Sequence, residues 1–420
     1  MIAADAASWR GRIQWYATAA AGPMASAAVQ FLLSLTLLAR LPVAEFGRLS
    51  FTFVVSQFSV GVWGALFTSP LLVLSAHAAA GSAPAHDELE GVRAMAWLAL
   101  APAALIFLAI ALAVGLGTAS ALLFAAYGTL VLIRQYARVQ ATVQGRYRRA
   151  MASDLVYSVV LLGGVIVLSV LPRSGEQSAL ALLAAAVVSG LAPLLISRRE
   201  PRVRRGAPRH YATVWDRDAR WSLLGVISTE ATVNSHSYIV TALLGPRAFA
   251  PIAATVLFIR PVTVAINALV EFERARAAHR IARGEFAALA TARLHLRLLL
   301  LAIWVATIAL AGLVITFAPE PYMVGKFGLG VVLAGTGLWL AVALARLLHA
   351  PEGVILLAAG RFRQLAWISG WTAVLSIGAV LILVFTVSPV VSIAGIVLGE
   401  GVFAFAAWRA TSRFLARRST

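Results

Sequence analysis

Cysteine is absent from this 420-residue chain, and acidic residues number only 17. Charged residues of both signs make up 12 per cent, about half the share of a soluble domain. The missing cysteine excludes a disulfide framework and thiol chemistry. Neither a Gly-x-x-x-x-Gly-Lys-Ser/Thr phosphate loop nor a His-Glu-x-x-His pair occurs, and the histidines are scattered. An ATP-hydrolysing site of that type is thereby excluded, and neither a metal centre nor a cofactor is expected. The scarcity of charge excludes a soluble globular body and places most of the chain in lipid.

What is abundant is apolar sequence: 61 per cent hydrophobic residues and a mean hydropathy of +0.87. In hydrocarbon every backbone polar group must be bonded internally, so only helices or a closed barrel can span. The apolar runs are long and continuous, whereas barrel strands alternate in polarity over roughly ten residues. Stretches near 20 residues place helices at Gln14–Ala39, Leu49–Leu74, Ala94–Leu116, Ser120–Gln144, Leu155–Leu171 and Ser178–Ile196. A second set follows at Trp221–Leu244, Ala250–Val270, Leu298–Phe317, Phe327–Leu348, Leu365–Val387 and Val390–Trp408. The first run is too long for a signal-peptide core and is read as a retained helix. The expected fold is an all-α polytopic membrane protein of about twelve helices.

The net charge of +18 is a topology signal rather than a nucleic-acid footprint, because the arginines fall in short blocks between apolar runs. With a cytoplasmic N-terminus, the inside segments hold 26 of the 35 Lys and Arg. The outside loops hold five (Arg40, Arg48, Arg173, Arg247, Lys326), and four lie within helices. The positive-inside rule then puts both termini in the cytoplasm of a bacterial inner membrane protein, with Trp15, Trp221 and Trp408 at span ends. Every outside connection is short, so an enzyme site built on periplasmic loops has nowhere to sit. The basic segment 197–220 divides the chain into residues 1–196 and 221–420.

The halves echo one another. Leu37-Leu38-Ala39-Arg40-Leu41-Pro42 ends the first helix, and Leu243-Leu244-Gly245-Pro246 ends the seventh. Gly145-Arg146-Tyr147-Arg148 follows the fourth, and Gly360-Arg361-Phe362-Arg363 follows the tenth. These pairs favour a duplication into two six-helix bundles, with an insertion in the longer 271–297 loop. Parallel repeats of this kind place a substrate site near mid-membrane between the halves, in a central cavity, and work by rocking one against the other.

Ionisable residues inside spans cost about 2.5–3.5 kcal/mol each on insertion scales. Glu230, with Asn234 one turn on and His236 beyond, sits midway in the seventh helix; Arg260 sits midway in the eighth, and the two are expected to pair, across a cavity or as a structural salt bridge. Arg134 and Arg138 share a face of the fourth helix, Arg138 being also within snorkelling reach of the interface. Arg346 and His349 occupy the comparable part of the tenth. Glu400 lies between Gly399 and Gly401 in the twelfth, placed to carry a proton or to bond a neighbouring helix. Fixed cations outnumber anions on this count, which suits an anionic substrate head that arginine forks can grip. Arg134, Arg138, Arg260, Arg346 and Asn234 are the candidate substrate residues.

The passages LLARLPVAEFGRLSFTFVVSQF (37–58) and TALLGPRAFAPIAATVLFIRP (241–261) resemble the openings of the two halves of the Wzx-type polysaccharide flippases, in the multidrug/oligosaccharidyl-lipid/polysaccharide exporter (MOP) superfamily. The resemblance covers nearly the whole chain as two six-helix bundles. It implies transfer of an undecaprenyl-diphosphate-linked oligosaccharide between leaflets, with arginines neutralising the diphosphate and the polyprenyl tail in lipid. It further implies coupling to an ion gradient, for which Glu230, Glu400 and His236 are the candidates, and partnership with a polysaccharide polymerase and other assembly proteins. The competing expectations are a drug/cation antiporter or a lipid II flippase of the same superfamily, or a membrane glycan polymerase or ligase.

Overall fold

In a computed structural model, the described residues are 9–79, 83–170, 175–195, 207–260, 284–317, 324–359 and 361–419, with scattered residues between 262 and 281. No strand occurs among them. The helices are α1 (Trp9–Arg40), α2 (Val43–Trp63) running through a π turn (Gly64–Thr68) into α3 (Ser69–Ala79), and α4 (Ala83–Leu98), which leads into α5 (Leu100–Ala113). Next come α6 (Thr118–Val143), α7 (Tyr147–Val170), α8 (Glu176–Leu195) and α9 (Ala207–Val214). A second π turn (Trp215–Ala219) links α9 to α10 (Arg220–Val233), followed by α11 (Ser235–Leu244) and α12 (Pro246–Thr255) with a 3-10 turn (Val256–Ile259). The last four are α13 (Phe286–Phe317), α14 (Leu329–Ala358), α15 (Phe362–Thr386) and α16 (Ile393–Ser419).

Among the described residues nine helices are long and apolar enough to cross a membrane, and Ala25–Arg40 and Pro246–Ile259 are shorter apolar helices. The expected seventh span is not one straight helix. It breaks at Asn234 (φ −119°, ψ 5°) between α10 and α11. Two further boundaries move. The ninth span starts at Phe286, twelve residues before Leu298, which shortens the expected 271–297 loop. The tenth runs on through Pro351 to Ala358 rather than stopping at Leu348. Apolar counting sets a span end where charge begins, but a helix continues into polar sequence when its charges find partners.

Burial is inverted relative to a soluble protein. Val159, Phe385 and Trp371 are each more than two-thirds exposed, whereas Asp154, Glu352 and Glu400 are at most 4 per cent exposed. Exposed apolar surface of this extent suits lipid contact, and buried carboxylates require partners close by.

The chain divides into two compact units, Met1–Val226 and Ile227–Thr420. In the first, α7 packs along both α1 and α8, and α6 along α8 and α5. In the second, α16 packs along α14 and α15, and α13 along α14. The echo between the halves is partly structural. Arg146 N–H bonds Ala141 O at 2.8 Å, and Arg361 N–H bonds Leu356 O at 2.9 Å, the same six-to-one closure after α6 and after α14. The proline turns differ: Pro42 is the N-cap of α2, whereas Pro246 opens α12 as its first residue. Gly245, at φ +82°, supplies the left-handed residue that turn requires.

Residues of the 197–220 segment that are described do not form a free linker. Helix α9 lies along α4. Tyr211 hydroxyl donates to Leu66 O at 3.2 Å, and its ring lies 5.7 Å from that of Phe67. Arg217 grips Glu88 with both Nη atoms, at 3.1 and 2.9 Å. Burial pushes the Tyr211 hydroxyl up to about 12. The hydrogen bonds that Arg217 donates to Glu88, then the one it donates to Asp218, raise it above its ordinary value.

Candidate functional site

In the first unit, Arg134 and Arg138 on α6 converge on Asp154 of α7. Arg134 Nη2 lies 2.7 Å and Arg138 Nε 3.0 Å from Asp154 Oδ1. Arg134 also donates to Ser153 Oγ at 3.1 Å and to Ser153 O at 3.3 Å, and stacks its guanidinium 4.4 Å over the Tyr157 ring. Tyr157 hydroxyl accepts from Gln30 Nε2 of α1 at 3.0 Å, and Ser26 meets Ser158 at 3.1 Å. Glycines let α1 and α8 close over this cluster. A Cβ at Gly22 would lie 2.8 Å from Asp154 Oδ2, and one at Gly190 would lie 2.9 Å from Arg134 Nε.

The second unit repeats the theme with other helices. Arg346 Nε and His349 Nε2 of α14 meet the two oxygens of Glu400, on α16, at 3.0 and 2.8 Å. The His349 ring sits 4.7 Å from Phe403. Lower on α14, the fully buried Glu352 is bridged by Arg297 of α13, with Arg293 at 3.9 Å. Of the two glycines flanking Glu400, Gly399 abuts Ser376 of α15, while Gly401 faces open space.

The expected Glu230–Arg260 pair does not form. Glu230 Oε1 instead accepts from Tyr238 hydroxyl at 2.7 Å. Eight residues on a straight helix are separated by about 12 Å along its axis. The break at Asn234 redirects the chain so that Tyr238 reaches back to Glu230. Asn234 O accepts the N–H of Ser237 at 2.9 Å, and its side chain stands beside the carboxylate. Arg260 follows the 3-10 turn, half-buried, with no ion-pair partner among the described residues. His236 is buried against Trp339 (5.2 Å) and Phe249 (6.3 Å), and its Nε2 shares a hydrogen with Ser237 at 3.0 Å.

Taken residue by residue, Arg134 and Arg138 converge on the single carboxylate of Asp154, and Arg346 and His349 on that of Glu400, so each basic pair shares one acid. Cations still outnumber anions in the first cluster, where two arginines share one acid, and among the four intramembrane arginines Arg260 is the one that meets no carboxylate among the described residues. Asp154, Glu352, Arg293, Arg297, Tyr157 and Tyr238 complete the clusters and were not singled out in the sequence. Asp154 stood one residue outside the span starting at Leu155, and Glu352 four residues past Leu348. An acid within a turn of a span end was the available signal.

No family model and no curated protein matches the sequence. Solved structures do. The inward-facing conformation of a multidrug resistance MATE family transporter of the MOP superfamily superposes with a TM-score of 0.70 at 13 per cent identity, over 94 per cent of this chain and 95 per cent of that one. An outward-facing conformation of such a transporter matches with a TM-score of 0.64 at 16 per cent identity, covering 96 per cent of both chains. A eukaryotic MATE transporter matches with a TM-score of 0.60 at 16 per cent identity, over 97 and 99 per cent. The chain thus has the fold of these transporters, and its neighbours are transporters rather than enzymes.

Proposed function

We propose that the protein is a secondary transporter that works by alternating access and exchanges protons for an organic cation. Multidrug transporters of this fold have been solved both inward-facing and outward-facing, which supports reading the same cycle here. The observation that carries the proposal is the setting of Glu230. Asp154, Glu352 and Glu400 each contact an arginine, whereas Glu230 is bonded by the neutral Tyr238 hydroxyl and lies beside Asn234. A half-buried carboxylate with neutral donors is free to exchange a proton or a substrate cation, while one clamped by arginine is committed to its partner.

The test uses protein reconstituted in vesicles with an imposed pH gradient. Accumulation of tetraphenylphosphonium that follows the gradient and collapses with a protonophore supports the reading. Uptake indifferent to the gradient excludes it.

A second reading keeps the polysaccharide flippase, a translocator of lipid-diphosphate-linked sugar, because Arg260 is a cation without a carboxylate partner among the described residues. A guanidinium so placed suits a phosphate-bearing head. Its test is translocation of a fluorescent undecaprenyl-diphosphate sugar in the same vesicles. Transfer that falls with Arg260→Gln supports this reading, and absence of transfer excludes it.

A further inference from the structure

The Gly-Arg-Phe-Arg motif after α14 remains without a role in either transport reading. Arg361 of that motif, with Gln364, Ala410, Arg413 and Phe414, lines a cavity of about 150 Å³ between the start of α15 and the end of α16. Arg361 is the N-cap of α15 and supplies no side-chain cap, so first-turn N–H groups of a 25-residue helix stay available at this end. Its guanidinium lies 5.2 Å over the Phe414 ring and donates to Gln364 Oε1 at 3.2 Å. Phe414 is itself fixed in the apolar cluster of α13 and α14, edge-on to Phe286 at 6.2 Å.

Neither Arg361 nor Arg413 meets a carboxylate among the described residues, unlike Arg134, Arg138, Arg297 and Arg346. Exposed Arg363 and Arg409 add to the same field, Arg409 being one turn before Arg413 on one face of α16. Toward the membrane, α15 carries Trp367 and Trp371, 62 and 70 per cent exposed, and α16 carries exposed Phe405 and Trp408 with rings 6.0 Å apart. Amphipathic aromatics beside a cationic pocket mark the depth of lipid headgroups.

We propose that this cavity binds the phosphate of an anionic phospholipid headgroup, gripped by Arg361 and Arg413 and oriented by Gln364, with the acyl chains lying along Trp367 and Trp371. The charge asymmetry of the loops assigns this end to the cytoplasmic leaflet, where anionic lipid is expected to meet arginine clusters. The corresponding Gly-Arg-Tyr-Arg after α6 has the same backbone closure, but the cavity belongs to the second unit.

The full-length protein is placed in nanodiscs of phosphatidylcholine with or without phosphatidylglycerol. Hydrogen exchange at residues 361–366 and 409–414 is expected to slow with phosphatidylglycerol. Native mass spectrometry is expected to show retained phosphatidylglycerol that the Arg361→Gln/Arg413→Gln variant loses by about tenfold. Arg361→Lys/Arg413→Lys should retain more of it than the glutamine pair. Equal exchange in the two nanodiscs overturns the proposal without need of any variant. Slowing by inorganic phosphate in phosphatidylcholine, with no effect of phosphatidylglycerol, overturns the lipid assignment. Loss of lipid from Arg363→Gln/Arg409→Gln as large as from the first pair also overturns it.

Discussion

Arg134 Nη2 approaches Asp154 Oδ1 to 2.7 Å, and the carboxylate that receives it is shared with Arg138 one turn further along α6. One acid therefore compensates two guanidiniums in the interior of the first unit. Removing it leaves both uncompensated. Asp154→Asn is expected to destabilise the protein by about 3–5 kcal/mol, the range for breaking a buried pair from one side. Adding Arg134→Gln should recover part of that loss. Thermal unfolding of the detergent-solubilised protein measures both, and an unchanged midpoint in the single variant would show that the cluster carries no stability.

Glycine spacing near Glu400 makes a sharper contrast. A Cβ at Gly399 would fall 2.7 Å from Ser376 Cβ, whereas one at Gly401 meets nothing within 4 Å. Gly399→Ala is expected to cost about 1–3 kcal/mol through overpacking against α15. Gly401→Ala should be neutral or stabilising by up to about 1 kcal/mol, from helix propensity. Parallel unfolding curves compare the two, and equal effects would contradict the α15–α16 contact.

The partners of these charges show where reading the sequence succeeds and where it stops. Hydropathy places most helices because the cost of unbonded backbone in lipid leaves long apolar runs no other structure. Spacing of four also placed Arg134 with Arg138. It does not say which helix lies opposite, so Asp154 on α7 and Glu400 on α16 serve equivalent basic pairs from different positions in the two halves. Glu230 and Arg260 illustrate the opposite failure. Their expected pairing assumed two straight neighbouring helices, and the break at Asn234 together with the Val256–Ile259 turn changes both directions.

Docking of the 207–219 segment rests on Arg217, in the turn after α9, with Glu88 of α4, and on Tyr211 of α9 with Leu66 of the Gly64–Thr68 turn. The ion pair is half-exposed on the arginine side, so screening limits it to about 0.5–1 kcal/mol. Arg217→Gln is expected to speed hydrogen exchange across residues 207–219 by a few-fold without altering that of α6 or α7. No change there would remove the pair from the docking contact.

Alkaline pH should act on the same contact through Tyr211. Its folded-state pKa is raised from 10.0 to about 12 by burial, so the phenol favours docking fully below pH 10. That contribution is lost as pH rises from 10 to about 12. The protection of residues 207–219, taken relative to the intrinsic base-catalysed exchange rate at each pH, should fall in that window for the natural protein and not for Tyr211→Phe. Identical profiles would exclude Tyr211 as the cause.

Proton coupling through Glu230 is the central claim, and one measurement bears on it directly. Vesicles containing a trapped pH dye are given a gradient of tetraphenylphosphonium, and the proton movement driven by that gradient is followed for the natural protein and for Glu230→Gln. The account predicts a counter-movement of protons that falls at least about tenfold in the variant, as expected for loss of an essential proton carrier, while its unfolding midpoint is unchanged. Full proton movement in Glu230→Gln would contradict it.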